Sequence, residues 1–431
     1  MTKVFRILCL FLLMAPMQVV NAALTIEITQ GVDGALPIAV VPFEWEGDAD
    51  QLPEDVGAII MSDLRRSGRF SPLPIEDMLS QPHSGRDIRF ADWRLLGTES
   101  IVVGNMKPAG GGYAIQFQLF DVFRRTQLAG FSFRSNRANL RQTAHKISDL
   151  IYETLLGEPG AFATRIAYVT EARKGKERRY ELQVADSDGL NSRRILSSDE
   201  PLLSPAWSPD GRRLAYVSFE NGRSMLYAQT VESGARQQIA AYKGINGAPA
   251  WSPDGRFLAA ALSKDGNPEI YIISLESQVL RRVTRNYAID TEPAWSPDGR
   301  SIIFTSDRGG RPQIYRYDIP SGKVNRVTFE GTYNARASYS PDGRMLVMVH
   351  SENGKYQIAT MELANSAMQI LTDGSLDESP SFAPNGSMVI YATEDKGRGV
   401  LAEVSVDGRV RQRLSQEGQD AREPSWSPYY Q

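Results

Sequence analysis

Cysteine is almost missing from this 431-residue chain: Cys9 is the single one, so no intramolecular disulfide can form and the fold must stand on core burial. Histidine is nearly as scarce, with His83, His145 and His350 the whole supply. His83 falls in a Pro/Ser/Gly-rich loop, His145 on the polar side of a helix and His350 at the end of a strand, which leaves them no common site. No Gly-x-Ser-x-Gly pentapeptide occurs, so the nucleophile elbow of a serine hydrolase is excluded. Nor is there a long block of one charge: 48 Lys and Arg stand against 51 Asp and Glu, a formal net charge of −3. That balance argues against nucleic acid or an anionic membrane surface as partner.

The long apolar run is Ile7 to Val20, preceded by Lys3 and Arg6 and followed by Val20-Asn21-Ala22. Too short to span a bilayer, it reads as a Sec-type signal cleaved between Ala22 and Ala23. Cys9 lies inside it and is a poor lipidation site, so the exported chain is expected to carry no thiol. Roughly 400 residues remain, enough for two cores.

What the chain does have is a repeat. Trp-Ser-Pro-Asp-Gly-Arg begins at Trp207, Trp251 and Trp295, 44 residues apart, and degenerate copies begin at Tyr339, Phe382 and Trp426. This period fits one four-stranded propeller blade. An apolar strand ends at the Trp, Ser-Pro-Asp-Gly makes a turn, and a second strand follows at once. In the third copy Ser301 to Thr305, Gln313 to Asp318 and Asn325 to Thr328 supply the other three strands of an antiparallel meander. No Gly-His or Trp-Asp dipeptide accompanies the repeat, which separates it from WD propellers. Six segments resemble the second strand, from Arg165-Ile166-Ala167-Tyr168-Val169 onward, and the sixth first-strand motif, Trp426-Ser427-Pro428, has no second strand behind it. The chain therefore enters blade one at its second strand, and its end supplies the innermost strand as a clasp that closes six blades.

Residues 37–160 follow a different grammar. Ile38-Ala39-Val40-Val41-Pro42-Phe43 suits a strand buried on both faces. A helix follows with Pro53 near its start, Val56, Ile59, Ile60 and Leu64 on one face and Gly68 as its stop. Ile101 to Gly104, Tyr113 to Leu119 and Leu128 to Phe133 read as strands. Asn139 is the expected cap of a last helix, with Gln142 in the capping-box position and Leu140, Ala144, Ile147, Ile151 and Leu155 inward. Gly157 to Gly160 is the linker. The expected organisation is a signal (1–22), an N-terminal partner-binding segment (23–36), a small α/β domain (37–160) and a six-bladed all-β propeller (161–431), an α+β two-domain chain closed by its C-terminal strand.

A signal, a small domain opening with Gly31-Val32-Asp33 and Pro37 to Phe43, and six Trp-Ser-Pro-Asp-Gly blades, in that order, resemble the TolB family, periplasmic components of the Tol-Pal system of Gram-negative bacteria. The resemblance covers essentially the whole chain. It implies a periplasmic, non-enzymatic protein without cofactor, monomeric on its own and not inserted in the membrane. Its propeller would bind the peptidoglycan-associated lipoprotein Pal and its mature N-terminus TolA. Outer-membrane integrity and envelope constriction at division would be served, and bacteriocins such as colicins would exploit the same propeller surface.

The residues just upstream of each innermost strand gather at one mouth of the central channel: Asn246-Gly247-Ala248, Asp290-Thr291-Glu292, Asn334-Ala335-Arg336, Asp377-Glu378 and Arg422-Glu423. Loops at one end of a rigid scaffold favour binding. The resemblance assigns Asn246, Gly247, Ala248, Thr291 and Glu292 to Pal contact, whereas Arg336, Glu378, Arg422 and Glu423 rest on placement alone. Leu24, Thr25, Ile26, Glu27 and Ile28 alternate apolar and polar, as an edge strand of the α/β domain or as a strand lent to TolA would. Asp186-Ser187-Asp188-Gly189 begins like a calcium loop but lacks its remaining spacing, and reads as a hairpin turn with no metal. Two alternatives stand beside the docking role: a propeller-containing peptidase, and a cell-wall sugar binder, for which the mouth residues named above offer no Trp or Phe.

Overall fold

The computed structural model describes residues 25–27, 34–48, 54–175, 177–414 and 420–430. The expected signal with its Ala22/Ala23 cleavage point, Leu24, Ile28, residues 31–33 and Pro53 lie outside them.

The N-terminal domain is one open mixed sheet with helices on both faces. Leu36–Val40 lies centrally, parallel to Phe70–Pro72 on one side and to Ser100–Ala109 on the other. Gly112–Asp121 and Thr126–Ser135 extend the sheet antiparallel to a free edge. Two helices, α1 (Val56–Arg66) and α3 (Leu140–Leu156), cover one face, burying Ile60, Leu64, Ala144, Ile147 and Ile151 against Val40, Val102 and Phe117. A short helix, α2 (Phe90–Leu95), brings Trp93 to the other face against Val41 and Ile101. This sandwiching explains why the run from Ile38 is apolar on both sides.

Asp55 caps α1 by accepting from Ala58 N at 3.0 Å. Asn139 does not cap α3 with its side chain. Asn136 accepts from Asn139 N at 2.9 Å and caps a short 3₁₀ turn, Arg137–Asn139, that runs into the helix. Gln142 donates instead to Ala163 O at 2.9 Å, tying α3 to the start of the propeller. A second correction concerns His145: it faces the seam between the two domains and is fully buried. A polar helix side is solvated only where no neighbouring domain covers it.

Six antiparallel four-stranded blades follow. Blade one is completed by Asp420–Trp426, which pairs antiparallel with Arg165–Lys174. Ser427 Oγ accepts from Arg165 N at 2.9 Å and Trp426 Nε1 donates to Thr164 Oγ1 at 2.8 Å on the blade-one side, and Trp426 N donates to Ser381 Oγ at 2.9 Å on the blade-six side, so the clasp is fastened on both sides. The repeat motif performs two tasks. Inside the turn, Asp210, Asp254 and Asp298 each accept from the backbone N–H two residues on, at 3.0 Å, while the following Gly takes a positive φ near 69°. Between blades, each Trp indole donates to a carbonyl of the preceding innermost strand: Trp207 to Ser425 O (3.1 Å), Trp251 to Ala206 O (3.0 Å) and Trp295 to Ala250 O (3.2 Å). Each such bond contributes about 1 kcal/mol and fixes the blade-to-blade angle. The Trp207 bond carries this pattern across the closure. Asn385, where the four preceding turns carry Asp, donates to Pro159 O at 3.1 Å and holds the linker, a bond that a carboxylate could not make.

The N-terminal domain sits against the turns of blades one and six, at the end opposite the channel mouth. Arg66 Nη2 donates to Ser187 Oγ at 2.6 Å, and Gly68, at φ 67°, packs so closely on Val410 that a Cβ would lie 2.1 Å from its Cγ2. The turn at Asp186 to Gly189 forms as expected, with Gly189 N donating to Asp186 O at 2.9 Å. Among the described residues no helix is long and apolar enough to cross a membrane.

Candidate functional site

Every innermost strand carries a bulge where it meets the channel, and the residue at the bulge has left-handed backbone. Ser204, Ala248, Glu292, Arg336, Ser379 and Glu423 occupy the six equivalent places, with φ between 47° and 56°. In five blades a proline follows, which has no N–H to lend to the ladder. Blade five has Ala337 there and keeps the same register shift, between Ala335 and Ser338. The departure from the repeat thus leaves this loop's geometry unchanged.

These six residues wall a narrow cavity of about 170 Å³. Three of them are charged and bind one another. Arg336 Nη2 reaches Glu423 Oε2 at 2.5 Å, its Nη1 donates to Ser379 Oγ at 2.7 Å, and its Nε lies 3.6 Å from Glu292 Oε1. Glu292 Oε2 also accepts from Arg336 N (2.9 Å) and Thr305 Oγ1 (2.8 Å), and Glu423 Oε2 from Ser204 N (3.2 Å). Burial alone would lower the Arg336 pKa, but Glu423 and Glu292 outweigh it and raise it. Burial raises Glu423 and Arg336 more than reverses that, leaving its carboxyl below the usual range. These groups form a plug across the channel, not a set of free charges at its rim.

The remaining expected contact residues are spread by depth. Asn246 is fully buried: its Oδ1 accepts from Tyr242 N at 2.9 Å and its Nδ2 donates to Tyr242 O and Ser224 O. Gly247 and Thr291 are half-buried strand positions, and Ala248 lines the channel wall. Glu378 and Arg422 lie near the surface, 3.9 Å apart.

A different set reaches solvent. Ile245, Tyr287, Ile289, Phe329 and Leu376 sit in the connections that enter innermost strands, and Tyr287 and Phe329 are 89% and 70% exposed. With Leu203 they make an apolar rim around the mouth. The aromatic members lie three or four residues upstream of the strand starts, beyond the short segments singled out from sequence. Large exposed apolar side chains grouped on one face mark a protein interface.

The N-terminal strand, Thr25–Glu27, is not an edge of the α/β domain. It pairs antiparallel with Arg411–Leu414, the outer strand of blade six, in the register Thr25↔Arg413, Ile26↔Gln412 and Glu27↔Arg411. Augmentation of a sheet edge is a recurring recognition mode, practised here by the chain on itself.

The architecture defines a two-domain propeller protein with a clasped ring, a plugged channel and a self-docked N-terminal strand. The profile of the TolB beta propeller domain matches residues 152–430 and that of the TolB amino-terminal domain residues 24–128. The chain is 59% identical to the Tol-Pal system protein TolB of Nitrosococcus oceani over 99% of its own length and 98% of the relative's. It is 60% identical to that of Methylococcus capsulatus over 97% of each. The crystal structure of TolB from Acinetobacter baumannii superposes with a TM-score of 0.87 at 42% identity, covering 94% of this chain and all of that one. The chain belongs to the TolB family of Tol-Pal system proteins.

Proposed function

We propose that this protein is a non-enzymatic periplasmic docking component of a Tol-Pal system, which binds Pal at the propeller mouth and presents its N-terminal strand to TolA. The exposed apolar rim at Tyr287, Ile289 and Phe329 is the observation that carries the reading. Its aromatic members stand at the entries to blades four and five, at the same end of the propeller as half-buried Thr291 and near-surface Glu378 and Arg422, apolar anchors with polar groups beside them as in a hot-spot cluster. Asn246, Glu292, Arg336 and Glu423 act from beneath by holding the loops and the channel in shape.

The strand Thr25–Glu27 is held by three residue pairs, few enough to exchange for a partner's sheet edge. Its host, Arg411–Leu414, continues through residues 415–419 to Asp420 and the clasp, which carries Glu423 into the channel. Occupancy of the mouth therefore has a short covalent route to the strand's host, and this supports an exchange of the N-terminal strand between its own propeller and TolA. The role would serve outer-membrane integrity and constriction at division, and bacteriocins could compete for the same rim.

Binding of purified Pal tests the first half. Tyr287→Ala with Phe329→Ala should weaken it by about tenfold or more with the circular dichroism spectrum unchanged; unaltered affinity overturns the assignment. Deleting residues 23–31 should abolish TolA capture and leave Pal affinity at least intact, and TolA binding that survives the deletion refutes the strand's role.

A further inference from the structure

The seam between the domains holds an arrangement of donors that the docking role does not use. His145 on α3 is fully buried, and its Nδ1 lies 2.7 Å from Asp63 Oδ2 on α1. Asp63 is itself fixed by Arg66 Nε at 3.1 Å. This pins the imidazole so that Nε2 points across the seam to the blade-one turn, 3.8 Å from Asp188 Oδ2 and 4.0 Å from Asp186 Oδ2. Both separations are too long for a hydrogen bond. Nε2 has no hydrogen-bond partner, and neither does Asp186 Oδ2.

An orphaned imidazole nitrogen on a fully buried side chain is costly, and its neighbours suggest what would satisfy it. The three donor atoms lie within 4.8 Å of one another. A cation bonded to nitrogen and oxygen at about 2.0–2.2 Å would span that triangle after side-chain shifts of a few tenths of an ångström. The outer contacts match those that orient metal ligands: a carboxylate on the far imidazole nitrogen, and Leu190 N donating to Asp188 Oδ1 at 3.1 Å. Two guanidinium groups oppose a cation, Arg66 beside Asp63 and, in direct contact with the carboxylates, Arg141. Arg141 Nη2 rests on Asp188 Oδ2 at 2.5 Å and its Nε lies 3.5 Å from Asp186 Oδ2. Its Nη1 also reaches the half-exposed Glu54 at 3.3 Å, which gives the guanidinium an alternative partner.

We propose that His145, Asp186 and Asp188 form a binding site for a divalent transition metal of the zinc type, with one ligand from the N-terminal domain and two from the propeller, and that Arg141 is its built-in competitor. One imidazole nitrogen with two carboxylate oxygens suits zinc or cobalt(II) better than calcium, which takes oxygen ligands. Because the ligands come from both domains, the bound ion would fasten the domains to each other. Binding would release any proton on Nε2 and swing Arg141 toward Glu54.

The test is titration of untagged, metal-free protein with zinc chloride at pH 8, followed by calorimetry, with cobalt(II) absorption as a second readout. Wild type should take up one zinc per chain and show visible cobalt bands. His145→Gln and Asp188→Asn should each weaken zinc by about tenfold or more, whereas Arg141→Gln, which keeps every ligand, should bind more tightly than wild type. Absence of saturable zinc uptake by both wild type and Arg141→Gln at about 100 µM would mean a pure ion-pair network and end the proposal. Equal affinity in folded His145→Gln and Asp188→Asn would end it as well, since the metal would then lie elsewhere.

Discussion

Arg336 shows how a repeat accommodates one exceptional residue. It holds left-handed backbone at φ 51°, a state that costs a non-glycine residue about 1 kcal/mol or more, and the channel offsets this with three charge-assisted contacts. Its side chain remains one-quarter exposed and that of Glu423 15%, so solvent screens the pair and its worth falls below that of a fully dry one. Arg336→Ala leaves Glu423 and Glu292 facing each other without a cation. We expect a loss of about 1–3 kcal/mol in urea denaturation, with Glu423→Gln in the Arg336→Ala background recovering part of it. Recovery distinguishes charge repulsion from simple loss of packing, and a stability unchanged by Arg336→Ala would show that the plug carries no load.

At the scale of elements, strands that repeat are easy to read and strands that pair once are not. The blades, their order and the clasp are legible in the spacing of Trp207, Trp251, Trp295 and Trp426, because each copy must meet its neighbour in the same way. The central strand at Ile38 and the inner stripe of α3 are legible for the same kind of reason, a long and consistent apolar pattern. Asn139 stands at the N-cap position of α3 as read, but the capping bond is made three residues earlier by Asn136, since a 3₁₀ turn and a helix start share the same Asn-rich signal. Of the mouth, the location is legible but the depth is not: the upstream position of Glu292 or Asn246 does not reveal that a bulge turns one into the channel and a cap buries the other. The partner of Thr25–Glu27 is illegible in principle, because three alternating residues fit any free edge. That brevity has a consequence. Removing residues 23–31 should accelerate amide hydrogen exchange at Arg411–Leu414, where the outer edge of blade six becomes unpaired, while exchange in the inner strands of blades two to four stays as in wild type. Unchanged protection at Arg411–Leu414 would mean that the strand does not dock there in solution.

The whole molecule is held together by a seam that buries charge, and that makes its stability depend on pH. Glu403, on blade six, is fully buried, 3.6 Å from Arg66 of α1. Burial pushes its carboxyl up to about 7 against the opposing pull of Arg66 and a hydrogen bond from Gln412, with Asp188 and Asp63 adding to the rise. Its other oxygen has no hydrogen-bond partner. An unfolded glutamate titrates near 4.5, so the folded state holds this proton more firmly. The stabilisation is complete below about pH 4.5 and is lost as pH rises toward 7, where the carboxylate must ionise inside the seam. Asp149, pushed up by burial to about 6 although Phe162 N and Ala163 N donate to it, acts in the same direction at the linker. Glu403→Gln keeps the shape of the protonated form without the ionisation. Relative to wild type it should gain up to about 3 kcal/mol on going from pH 5 to pH 8, read by urea denaturation at both values. Arg66 retains Asp63 and Ser187 in the variant, so the comparison isolates the one carboxyl. A difference between the two proteins that is the same at pH 5 and pH 8 would show that Glu403 is already ionised in the acidic sample and that the seam tolerates its charge.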